Sequence, residues 1–184
     1  MILFLPPAPK TGDFFKTIRK SLRDVKTEAA TYPGYGGIEA LPRPTIGAYA
    51  KHLLPNAQGG SIVGFHTGCL VAIEMALQSR DVGALVLVDI PYFNLKTRQN
   101  HNAGLDPKNP EHDAFRAAFS YDLESALANL SHPVTCIATG SPLYDPTIKA
   151  AQEIDNSVVI ERRDIVKPVF ESDAMAALIR ALCI

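Results

Sequence analysis

The chain of 184 residues has no tryptophan and three cysteines, Cys69, Cys136 and Cys183. An odd number of widely spaced cysteines makes neither a disulfide framework nor a metal-ligand pattern, and points to a reducing cytoplasm. A P-loop and a dinucleotide glycine fingerprint are both missing. The glycine-rich turn Gly34-Tyr35-Gly36-Gly37 does not run straight into a helix, so it is not read as phosphate-binding. No metal and no cofactor is therefore expected. The formal net charge is −1, which leaves no electrostatic footprint for nucleic acid or an anionic membrane. No run approaches the roughly 18 apolar residues of a transmembrane helix. The apolar start Met1–Leu5 has no basic region before it and is too short for a signal peptide. What remains is a partner of another kind, a small molecule. No histidine follows His132.

Hydrophobic residues make up 47% and charged residues 20% of the chain, ordinary values for a globular domain. Short apolar runs alternate with helical patterns along the whole length. Strands are expected at Ile2–Leu5, Glu28–Tyr32, Ser61–Phe65, Ala84–Val88, Val134–Thr139 and Val158–Glu161. Helices are expected at Phe14–Leu22 (capped by Asp13), Thr45–Leu54, Gly68–Ser79, Glu111–Leu130 with a break near Ser120, Thr147–Ile154 and Glu171–Cys183. Asn94–Pro110 is polar and reads as a long surface excursion. This alternation predicts an α/β fold of three αβα layers around a mostly parallel sheet of about six strands. One domain spans residues 1–184, with a short lid-like insertion at about 94–130.

The segment Ser61-Ile62-Val63-Gly64-Phe65-His66-Thr67-Gly68-Cys69 carries the chemistry. An apolar strand enters a Gly-x-X-x-Gly pentapeptide, and a small-residue helix leaves it. That is the context of a nucleophile elbow, in which the central residue is normally serine. Here it is His66. Three other segments accompany it: Leu5-Pro6-Pro7-Ala8 after the first strand, the turn Tyr32-Pro33-Gly34-Tyr35-Gly36-Gly37, and the strand-and-loop Cys136–Gly140 leading to Tyr144-Asp145-Pro146. In this order and spacing, the chain resembles the α/β-hydrolase superfamily over nearly its whole length.

The resemblance implies a degenerate triad. Asp145 matches the acid position and His66 the nucleophile position. The usual histidine should fall near Val166, but Asp164–Pro168 contains none. The amides of Thr67 and Ala8 match the two oxyanion donors, although Pro6-Pro7 replaces the family's His-Gly. Tyr92, Phe93 and Tyr144 are expected pocket walls. Asp89 stands at a second acid position used by some members, Cys69 is an alternative thiol, and Lys10 and Lys167 are sources of positive charge at the rim. His101 or His112 would close over the pocket if the excursion folds inward.

Serine hydrolysis needs a hydroxyl nucleophile and a base to take its proton. Both are absent from their usual places, so classical ester cleavage is not expected. Two readings of His66 stay open. Paired with Asp145, its imidazole would have a raised pKa and act as general acid or base, suited to proton abstraction beside a carbonyl, isomerisation, a lyase step or water activation. Otherwise His66 fills a catalytically inactive site, and the protein is a pseudoenzyme that binds a ligand or a protein partner.

Overall fold

The computed structural model describes residues 1–57 and 59–184. Six strands form one sheet: β1 (Ile2–Leu5), β2 (Thr27–Ala29), β3 (Ser61–Phe65), β4 (Leu85–Val88), β5 (Val134–Thr139) and β6 (Ser157–Arg162). Their order is β2-β1-β3-β4-β5-β6, and all five pairings are parallel. Parallel neighbours need crossovers, and helices fill them: α1 (Lys16–Ser21), α2 (Ile46–Ala57), α3 (Thr67–Gln78), α4 (Leu95–Ala103), α5 (Asp113–Phe119), α6 (Leu123–Ala128), α7 (Tyr144–Gln152) and α8 (Asp173–Cys183).

The pleat decides the layers. Along β1, Ile2 and Phe4 face one side, where Val63, Phe65, Val86 and Val88 join them under α1 and α8. Leu3 and Leu5 face the other side, with Ile62, Leu85 and Leu87 under α2, α3 and the lid helices. Both faces are covered, which is why the central strands β1 and β4 are apolar at every position and β3 and β5 at most. The result is the expected three-layer sandwich.

Several boundaries differ from the sequence reading. β2 is shorter and starts earlier, because Tyr32 leaves the sheet edge and its buried hydroxyl donates to Pro6 O at 2.8 Å. Asp13 lies inside a 3₁₀ turn, Gly12–Phe15, instead of capping a longer helix. The polar excursion contains α4, nucleated by Asn94, whose side chain accepts from Thr97 N at 2.8 Å. The break near Ser120 is present, between α5 and α6.

α4, α5 and α6 all lie in the connection from β4 to β5. Tyr35, in the glycine-rich turn, pins this insertion: its hydroxyl donates to Glu111 O at 2.9 Å and accepts from Ala114 N at 3.1 Å. Tyr121 adds a second anchor, donating to Glu74 on α3 at 2.7 Å. No described helix is long and apolar enough to cross a membrane.

Candidate functional site

The chain reverses direction across the sheet between β1 and β3. β2 lies on one side of β1, while β3 to β6 run out on the other. In such sheets the carboxyl ends of the strands at that switch point leave a crevice for ligands. Here those ends are Leu5, followed by Pro6-Pro7-Ala8, and Phe65, followed by His66.

His66 has φ 50° and ψ −115°, a sparsely populated conformation that a surrounding structure must enforce. The two glycines of the pentapeptide make it feasible. A Cβ on Gly64 would lie 2.6 Å from Gly68 O, and one on Gly68 would lie 2.1 Å from Leu5 O. The helix can therefore start only if both positions lack a side chain. His66 N donates to Val88 O at 3.2 Å, and His66 O accepts from Cys69 N at 2.9 Å. Clamped at both ends, the elbow lifts the imidazole to the top of the sheet, with its ring 4.0 Å from that of Phe65, centroid to centroid.

Above it lies a cavity of about 280 Å³. Pro7, Ala8, His66 and Thr67 form its floor, Phe93, Phe115 and Phe119 come from the lid, and Pro142, Leu143 and Lys167 close the far side. A second, wider cleft of about 630 Å³ opens on the α1/α8 side. It shares Pro7, Ala8, His66 and Lys167 with the first, so these four residues stand between the two spaces.

Thr67 is the first residue of α3, and helix geometry leaves its N–H without an intrahelical acceptor. Among the described residues neither Thr67 N nor Ala8 N donates a hydrogen bond. Because Pro6 and Pro7 carry no N–H, Ala8 offers the first amide after β1. The Tyr32 hydroxyl on Pro6 O holds that loop in place.

The expected His66–Asp145 pair does not form. α7 begins at Tyr144, three residues earlier than the sequence suggests, because a proline is tolerated in a first helical turn. Asp145 is thereby carried to an exposed position on that turn. Tyr144 is also turned away from the cavity: its hydroxyl donates to Glu161, and Arg163 stacks 3.7 Å above its ring. Leu143 and Pro142 take the wall instead. Tyr92 packs beside the core without lining the cavity, whereas Phe93 lines it.

The acid whose charge does act on His66 is Asp89. It is fully buried, at φ 53°. Its carboxylate accepts from Thr139 N at 2.9 Å and from Thr139 Oγ1 at 2.7 Å, tying β4 to β5. Asp89 makes no hydrogen bond to the imidazole among the described residues. His66 Nε2 is sealed from solvent without a partner, so Nδ1 is the ring nitrogen a ligand can reach. Burial pushes the imidazole pKa down to about 4; the Asp89 carboxylate opposes this and Lys167 adds to it. The upward shift expected from a carboxylate partner is thus reversed, and His66 is neutral at neutral pH.

Cys69 does not supply the missing nucleophile. Its thiol is buried under the elbow, 3.3 Å from Gly64 O and 3.2 Å from Val88 O. Desolvation raises its pKa well above the usual range, which disfavours thiolate. In the loop where a histidine was sought, Val166 is exposed and Lys167 faces the cavity. His101 is exposed, its ring stacked 5.1 Å from that of Phe119, and it does not line the cavity. His112 accepts from Asp106 N at 3.0 Å, within the lid loop. No group of three or more His, Cys, Asp or Glu among the described residues could hold a metal ion.

The sequence pattern does not place Arg98, Phe115 or Phe119 in the wall; of the two lysines expected at the rim, Lys167 lines this cavity and Lys10 lines only the second cleft. The i, i+4 pair Phe115/Phe119 on one face of α5 was the available signal. Arg98 had none, because its burial depends on partners more than twenty residues away: Tyr121 O, and Glu124 Oε2 at 2.7 Å.

No family model matches the sequence, and no curated protein matches it either. Solved structures do match it. A lipase-esterase related protein from Clostridium acetobutylicum is 16% identical, with a TM-score of 0.75 over 98% of this chain and 93% of its own. A hydrolase from Pseudomonas aeruginosa is 14% identical, with a TM-score of 0.78 over 98% and 89%. An α/β hydrolase family protein from Desulfitobacterium hafniense is 17% identical, with a TM-score of 0.72 over 98% and 94%. At such identities the likeness carries architecture alone, and by it this chain has the α/β-hydrolase fold.

Proposed function

We propose that this protein binds a small, mainly apolar molecule in the cavity over His66 and does not turn over esters by the serine mechanism. The observation that carries the reading is the state of His66 itself: a neutral imidazole without an acid partner, set beside two unoccupied amide donors under a roof of phenylalanines. A neutral imidazole and two N–H groups hold a ligand oxygen well. They make a poor proton-transfer device, because a base with a pKa near 4 is far from the match to neutral pH that general base catalysis favours. The acid–base reading required Asp145 at the ring, and Asp145 is elsewhere. These facts favour the inactive, ligand-binding alternative over the catalytic pair.

The cavity suits such a role. Its lining is apolar apart from His66, Thr67, Arg98 and Lys167, the usual composition of a small-molecule site. The experiment is a binding titration with phenylacetamide, followed by isothermal calorimetry, on wild type and on Ala118→Trp. Ala118 lines the cavity, and an indole there fills the space while leaving the elbow alone. Binding by wild type and none by the variant is the expected result. Equal binding by both, or none by either, overturns the assignment.

A further inference from the structure

The ionisable groups in the cavity wall have one sign. Arg98 and Lys167 line it, and no Asp or Glu does. Asp89 is occupied by both donors of Thr139 and Glu124 by Arg98 at 2.7 Å, while Asp13 and Glu171 line the adjoining cleft on the α1/α8 side and not this cavity. Every free polar group at the floor is a donor or can become one. Thr67 and Ala8 present unoccupied N–H groups, and the neutral imidazole can present a third. Lys167 makes no ion pair among the described residues. Thr67 also opens a helix of twelve residues, whose amino end carries partial positive charge.

Arg98 supplies an independent pointer. It is only 8% exposed, lies in the cavity wall, and keeps its Nε without a partner. Its charge is balanced by one carboxylate that is itself 41% exposed at the side chain. A buried guanidinium paired with one half-exposed carboxylate adds positive charge to a wall that carries no Asp or Glu. Packed at interior density, a cavity of about 280 Å³ admits about 200 Å³ of ligand, enough for one substituted aromatic ring.

We propose that the ligand is a small apolar monocarboxylate, seated with its carboxylate between Lys167 and the amides of Thr67 and Ala8 and its hydrocarbon body under Phe93, Phe115 and Phe119. This rests on the reading of the cavity as a ligand site and names the class it selects. A carboxylate has enough lone pairs to accept from both amides and from the ammonium at once. A neutral amide of the same shape keeps the apolar contacts and loses the charge-assisted ones.

Phenylacetate and phenylacetamide form that pair, and calorimetric titration of wild type and Lys167→Met tests it. Lys167 is exposed and without a hydrogen bond among the described residues, so the variant keeps the fold. Wild type should bind phenylacetate about tenfold more tightly than phenylacetamide, the effect of one charge-assisted hydrogen bond. The preference should shrink with added salt, and Lys167→Met should abolish it by weakening phenylacetate far more than phenylacetamide. The Thr67 and Ala8 amide resonances should shift with phenylacetate in wild type. Equal affinity for both compounds overturns the carboxylate assignment and leaves the ligand site standing. A preference that survives Lys167→Met overturns the seat. Binding of neither compound removes the ligand site itself.

Discussion

Lowering the pH should destabilise this protein through one ring. Burial holds His66 at a pKa of about 4 in the fold, against an ordinary 6.5. Between those values the unfolded chain takes up a proton that the folded chain refuses. The stability contributed by the neutral imidazole is therefore complete above about 6.5 and is lost as the pH falls from there toward about 4. For a fully enclosed ring the loss from about pH 7 to about pH 5 is about 2 kcal/mol. The ring is partly accessible, so about 1.5 kcal/mol is the better figure. Asp24, Asp122 and Asp164 are held below their usual range by hydrogen bonds; their contribution is lost only at lower pH, outside this window. Urea denaturation of wild type and His66→Asn at about pH 7 and about pH 5 isolates the term as a double difference. Asparagine tolerates positive φ better than most residues, so the variant keeps the elbow. Wild type should lose about 1.5 kcal/mol more than the variant on acidification. Equal losses refute the claim that the fold keeps His66 neutral by burial.

Three further outcomes follow from packing at the site. Gly68→Ala places a Cβ 2.1 Å from Leu5 O, a backbone clash with nowhere to relax, so it should cost more than about 3 kcal/mol in denaturant titration or prevent folding; a mild effect contradicts the elbow geometry. Tyr32→Phe leaves buried Pro6 O without its donor and should cost about 1–3 kcal/mol, while shifting the Ala8 amide resonance. Cys69 and Cys136 should resist a thiol reagent in the folded protein and react on unfolding, because burial raises both thiols; fast labelling of Cys69 in the native state would contradict its place under the elbow.

Much of the architecture could be read from local pattern. β3 and β5 fall where the sequence places them, since a strand covered on both faces is a short, mainly apolar run set between polar loops. The glycines of Gly64-Phe65-His66-Thr67-Gly68 announced the strand–turn–helix because only a bare Cα fits there. Long-range packing was less legible. α4 is polar at nearly every position, and its one buried residue, Arg98, is held by groups on a later segment. Asp145-Pro146 suited a loop or a helix start equally, and the choice between them moved Asp145 from the site to the surface. The downward pKa shift of His66 depends on how much apolar surface surrounds the ring, which a motif does not state.

Serine-type chemistry at His66 is expected to be absent. The most direct measurement is the initial rate of p-nitrophenyl butyrate hydrolysis by wild type beside His66→Ala, each with and without a fluorophosphonate. Both proteins should run at the buffer background and take up no label, since the elbow offers an imidazole with no acid partner and no base stands in the loop at Lys167. A wild-type rate above background that collapses in His66→Ala would contradict the account, and so would a fluorophosphonate adduct at any serine of the cavity region.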